Sequence, residues 1–195
     1  MAIIYVQRES ENQKTQLVAL TQKDKDGNQL LNGSDAPTIV VDVNHQRLHE
    51  GRAFIAWNIY PDSAKLASGS SADIVLAAGP GTIPHVTIAI ESSGDADFFI
   101  YEGTTTTGGT AFTPVRRNRN IASTSNVAMV TNPTVNTLGT LINQQFVTGG
   151  TGKKSAGSAG ASLEYVLAPL TNYLFRLTNF NGTAHTALLE IEWYE

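Results

Sequence analysis

Between Ala184 and Tyr194 the chain alternates with a period of two. Ala187, Leu189, Ile191 and Trp193 fall on one face, and Thr186, Leu188, Glu190, Glu192 and Tyr194 on the other. That is the pattern of a long strand with one buried face. Such a strand left at an open edge invites aggregation, so it demands partners inside a sheet. The stretch before it, LEYVLAPLTNYLFRLTNFNG from Leu163, reads as a strand, a proline-bearing turn and a second strand. In the second strand Tyr173, Phe175 and Leu177 alternate with Leu174, Arg176 and Thr178. Asn181-Gly182 then predicts a tight hairpin, because both central residues of such a turn take positive φ.

The rest of the chain repeats this grammar. Strands are expected at Thr38 to Asn44, Ala53 to Tyr60, Ala72 to Ala78, His85 to Glu91, Asp97 to Glu102, Val127 to Thr131 and Leu138 to Val147. Thr104 to Gly109 reads as a small-residue loop tip, Val115 to Ser125 as irregular, and Gly149 to Ser162 as a surface loop. About ten strands separated by turn signals predict an all-β protein, an antiparallel β-sandwich of jelly-roll type, with an immunoglobulin-like sandwich as the alternative. Ala53 to Tyr60 (AFIAWNIY) is apolar on both faces, which suits a strand at the centre of a sandwich or at a subunit contact. Residues 1–36 are turn-rich. Ala2 to Val6 and Thr15 to Thr21 are short strand candidates within what reads as an extended N-terminal arm or a loose hairpin. The boundary falls near Asp35, leaving 37–195 as the sandwich domain.

Composition narrows the function. A chain of 195 residues buries enough surface for a core without staples, and it has no cysteine, hence no disulfide framework and no thiolate chemistry. A formal charge of −4 argues against a general nucleic-acid binder. No apolar run approaches the roughly 20 residues of a membrane-spanning helix, no signal peptide is evident, and the lack of cysteine fits synthesis in a reducing cytoplasm.

Catalytic and metal signatures are weak. His45 and His49 share the spacing of a metal pair on a helix, but the segment reads as strand or turn, where the two lie about 13 Å apart. The plain reading is polar residues ahead of Gly51. His85 and His185 have no recognisable partner in sequence. Asp24, Asp26 and Asn28 echo a calcium loop but lack its glycine and closing glutamate. No Ser-His-Asp set, phosphate loop or dinucleotide fingerprint appears, so no cofactor or metal is assigned. Paired carboxylates of a carbohydrate-active enzyme would be visible only in space. Arg116, Arg117 and Arg119 form the dense basic cluster. They suit contact with an acidic surface, or pairing with local acids such as Asp97 or Glu102. Trp57 and Trp193 read as core or interface anchors.

At YEGTTTTGGTAFTPVRRNRN, Tyr101 to Asn120, the chain resembles a group of small structural proteins of tailed bacteriophage particles. EYVLAPLTNYLFRLTNFNG, LEIEWYE and the His-Glu-Gly at His49 resemble the same group; the likeness covers about Val43 to Glu195. It implies a non-enzymatic capsid decoration (cement) protein on the outer surface of the head. Its partner would be the major capsid protein, in a homo-oligomer expected to be a trimer. A host-glycan-binding module of a tail or head fibre is the alternative. The residues expected to contact the shell or sister subunits are Ile3, Tyr5, Leu17 and Val18 of the arm, with Arg116, Arg117, Arg119 and Trp57.

Overall fold

The computed structural model describes residues 3–7, 16–20, 43–149, 156–158 and 164–195. Its contacts divide the chain into two units, Met1–Gln46 and Arg47–Glu195. In the first, β1 (Ile3–Gln7) and β2 (Gln16–Leu20) pair antiparallel, with Ile3 opposite Leu20 and Tyr5 opposite Val18. These are the two strand candidates of the arm.

Helix α1 (Val43–His49) replaces the end of the strand expected over Thr38 to Asn44, whose first residues lie outside those described. The reason is local. Arg47 and His49 sit in its last turn, where cations complement the helix dipole. Gly51 follows at φ 73°, and the bonds Gly51 N–H to Leu48 O (3.1 Å) and Arg52 N–H to Arg47 O (2.9 Å) close the helix end.

Two large antiparallel sheets form the sandwich of the second unit, beside one separate two-stranded pair. The first has the order β12 (Thr140–Val147), β6 (Ala96–Glu102), β15 (Asn172–Asn179), β4 (Ser71–Ala78), β10 (Val127–Thr131), β8 (Thr110–Phe112). The second has the order β13 (Ala156–Ser158), β5 (His85–Ser92), β16 (Ala187–Tyr194), β3 (Ala53–Tyr60), β9 (Val115–Arg116), with β14 (Tyr165–Val166) also on β5. The chain crosses between the sheets at nearly every step from β3 to β6. The last two long strands then enter the middle of each, β15 between β4 and β6, β16 between β3 and β5. The amphipathic closing strand is therefore sheet interior, as its pattern demands.

The core lies between the sheets. Phe54, Ala56, Val86, Leu189, Ile191 and Trp193 of the second sheet meet Ile74, Leu76, Phe98, Ile100, Phe175 and Leu177 of the first. Burying each large apolar side chain here stabilises the fold by roughly 1.5–3 kcal/mol. Trp193 stacks on Phe54 with centroids 5.9 Å apart, and its indole N–H donates to Ser125 Oγ at 3.2 Å. In β15 both faces are covered, against the expectation of one. Leu174 is fully buried on the outer face, and beside it Arg176 makes two bonds, 2.8 and 2.7 Å, to the buried Asp73 carboxylate.

Three further expectations are corrected. Asn181-Gly182 is not a hairpin turn: β15 and β16 belong to different sheets, and neither residue has positive φ. Instead the Asn179 side chain accepts from Asn181 N–H (2.8 Å) and turns the chain toward the other sheet. The Thr-rich tip is not a loop. Its β7 (Thr105–Thr107) pairs with β11 (Thr134–Thr137), with Thr105 and Thr137 hydroxyls 2.7 Å apart. Ala156–Ser158, within the expected surface loop, pairs with the edge of β5; the neighbouring residues, Lys153 and Lys154 included, lie outside the described ones.

Candidate functional site

Register fixes what the outer face of the second sheet presents. Ile55, Trp57 and Ile59 of β3 lie opposite Glu192, Glu190 and Leu188 of β16, which lie opposite Thr87, Ala89 and Glu91 of β5. The inner-facing Phe54 and Ala56 are buried, whereas Ile59 is 55% exposed. The doubly apolar pattern of β3 thus resolves into a core face and an outward face that this chain covers only in part. Trp57 is half-buried, with Phe112 edge-on at 5.3 Å. The acids beside it repel one another. Burial raises the Glu190 carboxyl above its usual value, and the charges of Glu192 and Glu91 raise it further, while Arg117 counteracts them.

The arginine cluster separates. Arg117 donates to Glu192 at 2.7 Å, so its acid is a cross-sheet neighbour and not Asp97 or Glu102. Arg116 lies opposite Phe54 in the β9–β3 ladder and is half-buried. Arg119 is exposed, with no ion pair among the described residues. Trp57 and Arg117 therefore meet on one face, while Arg119 stands apart. Ile3, Tyr5, Leu17 and Val18 lie in the β1–β2 ladder; their side chains fall outside the described residues.

A second surface is the sheet edge made by a strand that carries no charged residue. β12 (TLINQQFV) forms the edge of the first sheet, with Phe146 80% exposed and Leu141 and Ile142 exposed beside it. A bulge falls between Leu141 and Asn143. Sheet edges are ordinarily blunted by lysine, proline or short length; this one carries only the bulge.

A third feature is a cavity of about 540 Å³ at the end of the sandwich where β5 begins and β16 finishes. On its rim His85 and Tyr194 stack with centroids 4.7 Å apart. Both bind Glu164: the Tyr194 hydroxyl donates to Oε1 at 2.6 Å, and His85 Nδ1 lies 2.8 Å from the same oxygen. These bonds, Tyr194's first, hold the Glu164 carboxyl below its usual range. An ionised Glu164 makes His85 Nδ1 the protonated nitrogen of the neutral ring. Sequence reading missed this group because its members are 79 and 109 residues from His85.

The opposite end is closed. Asn179 donates to Leu66 O (2.9 Å) and Thr183 O (3.0 Å), and Leu66 and His185 exchange backbone bonds of 2.9 and 3.1 Å. His185 is 5% exposed and neither ring nitrogen has a partner among the described residues. Burial pushes its pKa down, and Asp95 partly opposes this.

Helix α1 sets His45 and His49 one turn apart on one face, which reverses the strand or turn reading. No group of three or more His, Cys, Asp or Glu side chains placed to hold a metal occurs among the described residues. The Asp24, Asp26 and Asn28 motif lies outside them. No described helix is long and apolar enough to cross a membrane. Comparison with protein-family models, with curated proteins and with solved structures finds no match to this chain.

Proposed function

We propose that this chain is a non-enzymatic structural component of a tailed-bacteriophage particle. It decorates the outer surface of the head, binding the major capsid protein as a homo-oligomer, a trimer in the simplest case, without direct contact to nucleic acid. The observation that carries the reading is the β12 edge: eight uncharged residues, three of them exposed and apolar, on a sheet border that no further strand among the described residues pairs. A strand of that kind is an assembly surface, since an added partner strand satisfies its main-chain groups and covers its side chains. The partly exposed β3 face with Trp57 and Ile59 is a second apolar surface of the same sort. The sheet orders favour the jelly-roll reading over the immunoglobulin-like one. β3-β16-β5-β13 faces β4-β15-β6-β12, an interleaving of first and last strands that an immunoglobulin sandwich lacks.

The test is occupancy on purified particles. Phe146→Glu places a charge on the edge, and deletion of Ala2 to Leu20 removes the β1–β2 hairpin. Loss of bound protein in either variant, with its melting curve unchanged, is the expected result. Full occupancy in both would sink the proposal. The glycan-binding alternative draws on one specific feature, the polar cavity beside His85.

A further inference from the structure

The outer face of the second sheet is half apolar and half acidic, and we propose that it docks an arginine-bearing segment of a protein partner whose apolar side chains lie over β3. This deepens the assembly reading of that face and rests on it only in taking the face as a contact surface. The β12 edge plays no part.

The apolar half supplies the surface. Ile59, Leu188 and Glu91 lie side by side across the β3–β16–β5 ladders and line a cleft of about 150 Å³ at the end of β3. Ile59 is 55% exposed and Leu188 half-buried. In the next outward row Trp57 lies directly opposite Glu190. Phe112 meets the indole edge-on, and Trp57 keeps part of its surface in solvent. An aliphatic cleft beside a half-exposed indole is a surface that an added segment would cover with gain.

The charges select the occupant. Glu91, Glu190 and Glu192 share this face, on strands about 5 Å apart and at same-face positions about 7 Å apart along a strand. Arg117 answers Glu192 at 2.7 Å, and neither Glu190 nor Glu91 has an ion pair among the described residues. Three carboxylates against one guanidinium leave two charges for a partner to answer. The strain of holding them together shows in Glu190, whose carboxyl is raised by burial and then by the charges of Glu192 and Glu91. A cation brought to the face relieves that repulsion. Arginine fits better than lysine, because a guanidinium lies flat on an indole while giving two parallel N–H bonds to a carboxylate beside it. A neutral or acidic apolar segment would cover the same cleft but leave the Glu190 charge desolvated without a partner.

The experiment is isothermal titration of the full chain, at low ionic strength, with the peptide acetyl-Leu-Arg-Leu-Arg-Leu-amide. Its lysine and glutamate counterparts are the comparators. The arginine peptide is expected to bind with a Kd of about 100 μM or tighter, the lysine peptide at least about threefold more weakly, and the glutamate peptide not at all. Glu190→Gln should weaken the arginine peptide by about fivefold without lowering the melting temperature. Trp57→Leu keeps apolar bulk and should abolish the preference for arginine over lysine. Glu102→Gln removes the same charge from the first sheet and should change nothing. The inference is overturned if the arginine peptide gives no binding at about 1 mM, if the glutamate peptide binds as well, or if Glu102→Gln weakens binding as much as Glu190→Gln. Particle occupancy is read through Phe146→Glu on the other sheet, so this inference and the particle reading fail separately.

Discussion

The two ends of the sandwich are built from the same strands and solve opposite problems. At the Asn179 end, side chains finish what the backbone leaves open: Asn179 satisfies three main-chain groups, and Leu66 and His185 seal the gap between the sheets. At the His85 end, Arg52, Thr124 and Asn126 are exposed around an open cavity. The difference separates side chains that hold the fold from side chains left to solvent. Substitution at the first end should cost stability, and at the second should cost little.

Asn179→Ala gives the largest effect. It removes three side-chain bonds at the buried Asn179, although Leu66 O keeps its bond from His185 N–H, so unfolding free energy should fall by about 2 kcal/mol in a urea titration. A loss below roughly 1 kcal/mol would mean that the closed end is not a structural lock. Gly94→Ala comes next. A Cβ there meets the His185 ring, with Asn181 Nδ2 at 2.8 Å, and the clash should cost about 1–3 kcal/mol. His185→Ala should recover part of that loss in the double variant, since the two positions are in contact. An additive pair would remove the ring from the account.

The same histidine gives the closed end a pH dependence. Its folded pKa is lowered, so the unfolded chain binds the extra proton first. Stability is then fully present above the unfolded value near 6.5 and is lost as pH falls through the folded one. The melting temperature should drop on acidification below pH 6.5, and His185→Asn should flatten that part of the profile. The comparison is between the two profiles, in which every other titrating group is shared. At the open end, Arg52→Gln and Thr124→Ala should move unfolding free energy by less than about 0.5 kcal/mol. The smallest expected change is a gain. Leu170 is 75% exposed at φ 58°, a conformation that costs a branched side chain about 1–2 kcal/mol. Leu170→Gly should return up to about 1 kcal/mol of it after the added chain entropy.

The strands were legible where alternation or length left one answer. β4, β5, β6 and β10 fall within a residue or two of their expected spans, and β16 buries Ala187, Leu189, Ile191 and Trp193 as its pattern requires. What sequence could not supply was the partner of each strand. Asn181-Gly182 carried a hairpin signal, but the buried Asn179 redirected the chain across the core. The β-branched run at Ile39 to Val41 concealed a helix whose end was nevertheless marked by Arg47, His49 and Gly51. The candidate site was half legible. Trp57 and Arg117 do share a face, because β9 lies beside β3 and the Arg117 side chain reaches over to Glu192 of β16. The His85–Glu164–Tyr194 group was not, since only the register of β14, β5 and β16 brings it together.

The most direct test of the central claim is the copy number of this chain in purified particles, measured by quantitative mass spectrometry against the major capsid protein. A decoration protein spread over the head lattice gives a ratio within a small factor of one. A ratio far below that would place the chain at a vertex or tail and contradict the decoration reading.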